Sequence, residues 1–146
     1  MRKIVVLLLL SLLVCSCGNQ YDKKVSFIKQ SAGLVNKNLE LTKDMYLGKV
    51  IDRKTLSERL TGFLGESKSM DVVSGWAVSD TIKNYIVESY TVDIRFNQTL
   101  DSLQSANASD LKLLSALFGA TSLEMKKNIN NLIKDESDKL KIQLYK

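Results

Sequence analysis

The chain has 146 residues, with 21 Lys and Arg against 16 Asp and Glu, two cysteines, no histidine and no proline. This length suits one domain, and the missing histidine removes the commonest general base and the catalytic triads built on it. The net charge of +5 is spread along the chain rather than concentrated, so we expect no nucleic-acid partner.

A short hydrophobic segment opens the chain. Arg2 and Lys3 precede an apolar run, residues 4–14, that is interrupted only by Ser11. A permanent membrane span needs about 20 apolar residues, and this run is shorter. A positive start followed by a short apolar run is typical of a secretory signal.

The sequence Val14-Cys15-Ser16-Cys17 follows the run. It resembles the lipobox of bacterial lipoprotein precursors, although Cys15 stands where that family usually has Ala, Ser or Thr. The resemblance implies a signal peptide of residues 1–16, cleaved before Cys17, and diacylglycerol on the Cys17 thiol. Gly18, rather than Asp, resembles members sorted to the outer membrane of hosts with two membranes. An ordinary cleaved signal with incidental cysteines, or an uncleaved anchor, is the alternative.

Processing at this site changes both the charge and the cysteine count. Loss of Arg2 and Lys3 leaves 19 basic and 16 acidic residues, a net charge of +3. Cys15 leaves with the signal and Cys17 carries lipid, so no thiol remains for a disulfide, a metal or a nucleophile. We therefore expect no cofactor and no metal, a polar lipidated tether over 17–24 and one domain over 25–146.

Helical periodicity dominates the domain and predicts an all-α fold, a small bundle of four to five helices. The first helix spans 22–46 and ends before Gly48. Its apolar face recurs at spacings of three and four: Val25, Ile28, Ala32, Val35 and Leu39.

The second predicted helix begins at Asp52 or Thr55, and Thr55-Leu56-Ser57-Glu58 matches a capping box. We expect Gly62 and Gly65 to weaken and stop it.

Residues 66–80 are rich in Ser and Gly and predict a loop with a short helix. Trp76 is the one tryptophan. We expect it to pack at the edge of the core, and contact with a partner protein is the alternative because tryptophan is enriched at interface hot spots.

Two periods compete in the next segment. Ser79 or Asp80 can cap a helix that runs to Leu103, yet residues 90–97 alternate strictly between apolar and polar, as a strand does. We predict a helix because a lone strand lacks a partner, with a short β element over 90–97 as the alternative.

The last predicted helices follow a polar turn over 106–109, capped by Asn107 or Ser109, and are separated at Gly119. A second capping box, Thr121 to Glu124, opens the final helix. We expect its charged residues to form a solvated face, with contact between its lysines and anionic lipid head groups as the alternative. These residues are Lys126, Lys127, Lys134, Asp135, Glu136, Asp138, Lys139 and Lys141.

No residue pattern points to catalysis. The acids Asp71, Asp80, Glu88 and Asp93 show no spacing that singles them out, so we expect solvated or capping roles and no enzyme activity. The glycines match no phosphate-binding loop.

The sequence instead predicts a membrane-anchored lipoprotein that binds another protein at the cell envelope. The layout, a lipobox before a small helical domain, resembles entry-exclusion or immunity lipoproteins of mobile genetic elements, which block an incoming plasmid, phage or toxin. An envelope structural or assembly role is the first alternative. A peptidoglycan-acting enzyme with paired carboxylates is the second. Self-association through Val25 to Leu39 covers only about two heptads and is disfavoured.

Overall fold

The computed structural model describes residues 2–46, 52–103 and 108–144 of the chain. Within these ranges, the side chains of residues 2–18, 44, 46, 108 and 111 lie outside the description. The predicted break at Gly48 and the predicted cap at Asn107 also lie outside the described residues.

Four α-helices make up the described part of the chain: α1 (Arg2–Tyr46), α2 (Arg53–Ser69), α3 (Ala77–Ser102) and α4 (Ala108–Lys139). The described residues contain no strand. The predicted all-α class is confirmed, and residues 90–97 are helical, as expected from their lack of a partner strand.

Contacts between helices define an up-down-up-down bundle. α1 and α3 run the same way, because Leu34 meets Tyr90 and, further along both helices, Thr42 meets Asp93. α2 packs against α3 and α1, and α4 packs against α3 and α1. The ring of Phe118 in α4 lies 5.2 Å from that of Phe96 in α3. Every helix therefore contributes to one shared core.

The core draws on all four helices and on the α2–α3 loop. Ile28, Ala32 and Val35 of the predicted α1 face are buried, while Val25 and Leu39 are half-buried. The other large buried side chains are Phe27, Leu34, Met45, Leu56, Leu60, Met70, Val73, Ile82, Ile86, Tyr90, Phe96, Ile129 and Ile133.

α2 begins at the first of its two predicted caps. The Asp52 carboxylate accepts hydrogen bonds from the backbone N–H of Lys54 at 3.4 Å and of Thr55 at 3.0 Å. The prediction that Gly62 and Gly65 stop this helix is wrong, since it continues to Ser69. A glycine costs a helix about 1 kcal/mol, and burial of one large apolar side chain outweighs that.

The predicted loop is shorter than expected and contains no helix among its described residues, because only residues 70–76 lie between α2 and α3. Gly75 adopts a φ of 73°, and the N–H of Trp76 donates to the carbonyl of Val73 at 3.0 Å, which closes a tight turn. α3 then begins before the predicted Ser79 or Asp80 cap. Ser79 instead accepts from the N–H of Val73 at 3.1 Å, which fixes the loop.

α4 is one helix where two were predicted. Gly119 is buried inside it, and the second capping box lies within helix rather than at its start. The helix ends in a Schellman motif. Lys141 has a φ of 54°, and the N–H of Ile142 donates to the carbonyl of Ser137 at 2.8 Å. Ile142 and Leu144 then pack against the core.

α1 continues from the hydrophobic N-terminal segment into the bundle, so residues 17–24 are helical. The side chain of Gln20 donates to the carbonyl of Ser74 at 3.2 Å, and the hydroxyl of Tyr21 donates to that of Leu140 at 2.9 Å. The segment predicted as a tether therefore touches the bundle. Among the described residues, no helix combines the length and the hydropathy that a bilayer crossing needs.

Candidate functional site

A buried group of polar side chains connects α1, α3 and α4. Asp93 lies at its centre and accepts from Ser122 Oγ at 2.8 Å, from Thr42 Oγ1 at 2.9 Å and from Lys126 Nζ at 3.0 Å. Thr42 also contacts Asn38, whose Nδ2 donates to Ser89 Oγ at 3.0 Å. We call these residues the polar cluster: Asn38, Thr42, Ser89, Asp93, Ser122 and Lys126.

The polar cluster is closed to solvent. The side chains of Asp93 and Lys126 are 0% and 2% exposed. Burial lowers the pKa of Lys126 below its usual value, and the neighbouring Asp93 carboxylate opposes that effect. Tyr90 lies nearby, donates its hydroxyl to the carbonyl of Leu34 at 2.6 Å, and has a pKa raised by burial first and by Glu66 and Asp93 next.

Ser122 and Lys126 also contact each other, and a serine beside a lysine is a known pairing of nucleophile and base. Both side chains are buried, however, and the clefts identified on the described surface are lined by other residues. A substrate would have to open the bundle to reach them. The geometry therefore assigns the polar cluster to holding three helices in register.

Two charged residues of the last helix correct the sequence prediction. Lys126 is buried rather than solvated because it pairs with the buried Asp93. Glu136 is also buried, and the exposed Lys139 of the same helix lies 2.5 Å from its carboxylate. The prediction of a solvated or capping role for Asp93 is wrong because of the same pairing with Lys126. The other predicted face residues are exposed: Lys127, Lys134, Asp135, Asp138, Lys139 and Lys141.

A signal for the buried lysine was present in the sequence. Ser122, Lys126, Ile129 and Ile133 are spaced by four, three and four, which places them along one line of α4. The two isoleucines mark that line as the inward face. A lysine on an inward line requires a buried acid on a neighbouring helix, which Asp93 supplies.

A surface cleft of about 520 Å³ lies between α1 and the α2–α3 loop. An adjoining opening of about 290 Å³ shares Lys23, Val73 and Ser74 with it and extends the groove towards Asn19. We call this groove the loop cleft. Its main part is lined by Lys23, Ser26, Phe27 and Gln30 of α1 and by Ser69, Asp71, Val72, Val73 and Ser74.

Trp76 packs against Phe27, one of the residues that line the loop cleft. Its ring meets that of Phe27 edge-on, with centroids 6.0 Å apart, and Lys24 Nζ lies 5.3 Å from the centre of the indole ring. The side chain is half-buried and packed against the core, as predicted for a residue at the core edge. Its contact with a partner protein stays a prediction.

The four acids considered for catalysis do not converge. Asp93 is buried in the polar cluster, Asp71 lines the loop cleft, and Asp80 and Glu88 are exposed two helical turns apart on α3. Among the described side chains, no group of three or more His, Cys, Asp or Glu could hold a metal ion.

A second surface feature lies on the outward face of α4. Leu113, Leu117 and Leu123 are 61%, 58% and 50% exposed. Ala116 and Ala120 are exposed between them. We call these five residues the leucine stripe.

Cys17, the predicted lipid site, lies outside the described side chains. Comparison of the chain with known proteins finds no matching protein-family model, no similar curated protein and no similar solved structure. Its function must therefore be inferred from the properties of its own residues.

Proposed function

We propose that this chain is a membrane-anchored bacterial lipoprotein that binds another protein at the cell envelope through the loop cleft. The observation that carries the proposal is the position of that cleft. Lys23, on its wall, follows the predicted lipid site Cys17 by six residues of continuous helix. At 1.5 Å per residue this is about 9 Å, so a partner in the cleft would sit close to the membrane surface.

The lining of the loop cleft suits a peptide segment of a partner. Val72 offers apolar contact over the buried Phe27 and Val73, while Lys23 and Asp71 offer one charge of each sign. Val72 is 41% exposed and available to a partner. Apolar contacts would supply affinity and the charged groups would fix orientation.

The connection between anchor and cleft favours such a role. Gln20 and Tyr21 are hydrogen-bonded to the loop and to the C-terminal end of the bundle, so the cleft is held at a fixed height above Cys17. Two or three acyl chains on Cys17 would make release from the membrane negligible, at about 0.8 kcal/mol per buried methylene. Confinement to the membrane raises the local concentration of a membrane partner.

A photocrosslinking amino acid at Val72 tests the proposal in the native host. We expect a specific crosslinked product from Val72 in the membrane fraction, and none from Tyr85, a matched control on α3 with 40% exposure. The variant Cys17→Ser should lose both radioactive palmitate and the Val72 product.

Equal products from Val72 and Tyr85 would contradict the cleft as the binding site, and palmitate labelling of Cys17→Ser would contradict the lipid site. The identity of the partner decides the biological setting. The layout favours entry exclusion or phage or toxin immunity, for which a component of the incoming element is expected. If the protein crosslinked to Val72 is an envelope assembly protein, the structural role is favoured. We expect the outer membrane as the location if the host has two membranes.

A further inference from the structure

We propose that the leucine stripe is a contact between two copies of this chain, with their α4 helices packed antiparallel about an axis at the level of Phe118. Three leucines, each at least half exposed, lie on one helix face with two alanines between them. This interface is distinct from the loop cleft and leaves that cleft free for its own partner.

The spacing of the stripe identifies a second copy as the occupant. Leu113 and Leu123 lie five residues to either side of Phe118, and Ala116 and Ala120 lie two residues to either side. In a two-fold interface, a residue of one copy contacts a second residue of the other copy, and the reverse contact also forms. Antiparallel packing about Phe118 therefore pairs Leu113 with Leu123 and Ala116 with Ala120, while Leu117 comes level with the buried Gly119 and packs beside these pairs. The small alanines let the two helices approach closely.

Charges at the ends of the stripe favour the same arrangement. Lys112 and Glu124 lie six residues to either side of Phe118, so antiparallel packing brings opposite charges to the same level. Asp110 lies eight residues before Phe118 and Lys127 lies nine residues after it. This pair therefore departs from the symmetry by one residue, about 1.5 Å along the helix. Parallel packing in register would instead bring Lys112 level with Lys112 of the second copy, and Glu124 level with Glu124. The charge pattern thus selects the antiparallel form.

The position of the stripe argues against a lipid surface as its occupant. Leu140, whose carbonyl meets Tyr21 near the predicted anchor, lies 22 residues beyond Phe118. That separation corresponds to about 33 Å along α4, which places the stripe at the end of the bundle away from Cys17.

The size of the stripe predicts a weak contact that the membrane strengthens. From Asp110 to Lys127 the helix is about 26 Å long and about 10 Å wide, which is well below the roughly 800 Å² per partner of a stable complex. Anchoring both copies in one membrane raises their effective concentration. This step rests on the proposed lipid anchor at Cys17, whereas the pairing of residues does not.

Mixed thiol crosslinking in membranes tests the register. Full-length chains with Leu113→Cys and with Leu123→Cys are expressed singly and together, with distinguishable tags, and treated with a thiol oxidant. We expect a disulfide-linked dimer only when both variants are present, because each position faces the other. Wild type controls for native cysteines, and Asn128→Cys with Asp138→Cys, exposed and equally spaced on α4, controls for chance collision.

A charge exchange at the centre gives a second test. Ala116→Glu is added to the Leu113→Cys chain, and Ala120→Glu is added to the Leu123→Cys chain. The mixed dimer should then be lost, because the two acids would face each other. Ala116→Lys in place of Ala116→Glu should restore it. Equal dimer yields from these two combinations would overturn the pairing.

Fractionation of the same cells separates the two proposals. Chain held in the membrane without mixed dimer overturns this interface and leaves the anchor intact. Mixed dimer with the chain in the soluble fraction overturns the anchor and supports the interface. Dimer from either single variant alone, or from the control pair at equal yield, overturns the antiparallel register.

Discussion

α4 departs from the usual rule of burial at a few positions on each of its two faces. Its inward face carries Ser122 and Lys126, both buried, while its outward face carries Leu113, Leu117 and Leu123, all exposed. The difference lies in partners. The inward polar groups have a carboxylate to bond, whereas the outward leucines project into solvent. At these positions the available partners decide burial, whereas Ile129 and Ile133 on the inward face follow residue type.

The inward face has a cost that only complete pairing offsets. Moving a carboxylate and an ammonium out of water costs several kcal/mol per ion, and their mutual attraction compensates only when other hydrogen bonds complete the site. Here Asp93 receives three donors from two other helices, Thr42, Ser122 and Lys126. We infer that the polar cluster specifies the register of α1, α3 and α4, since a shifted helix would leave a buried charge unpaired.

The largest predicted effect is therefore on the inward face. Lys126→Met should lower the free energy of unfolding by about 3 to 5 kcal/mol, because it leaves the Asp93 carboxylate buried without its cation. Chemical denaturation measures the loss. Lys127→Met, at the exposed neighbouring position, is the control and should change stability by no more than about 0.5 kcal/mol.

A double variant separates pairing from simple burial. Asp93→Leu with Lys126→Met should cost less than the sum of the two single changes, since it removes both charges together. Additive losses would show that the two side chains do not interact, and would remove the reason for a buried lysine on α4.

A smaller loss is expected from the second donor on the same face. Ser122→Ala removes one hydrogen bond to an ionised carboxylate, for which about 1.5 to 3 kcal/mol is typical. Thr121→Ala is its neighbour and control, because Thr121 is exposed and its hydroxyl donates to the carbonyl of Leu117 in its own helix at 3.2 Å. Equal unfolding midpoints for the two variants would contradict the polar cluster.

Periodicity predicted most of the fold but not the helix boundaries. Ile28, Ala32 and Val35 lie on the predicted face and are buried, because helical spacing places them along one line. Gly62, Gly65 and Gly119 were expected to end helices and do not. A local glycine penalty of about 1 kcal/mol is real, but tertiary packing of neighbouring apolar residues exceeds it, and packing is not visible in a local sequence window.

The polar cluster was not predicted from the sequence, because it joins residues far apart along the chain. Lys126 lies among acids and lysines that resemble a solvated face, and Asp93 lies in a segment where helix and strand periods compete. Neither residue is unusual alone. Their pairing follows only from the antiparallel packing of α3 and α4, which the sequence pattern does not specify.

The smallest predicted effect lies on the outward face and completes the comparison. Leu113→Gln and Leu123→Gln should each change the unfolding free energy by no more than about 0.5 kcal/mol, since both side chains are at least half exposed and Gln has nearly the same helix propensity as Leu. Ile133→Ala, buried on the inward face, should cost about 2 to 5 kcal/mol in the same denaturation assay. A comparable loss from Leu123→Gln would mean that the outward leucines stabilise the fold itself, whereas an unchanged fold with a lost dimer would assign them to the contact between copies.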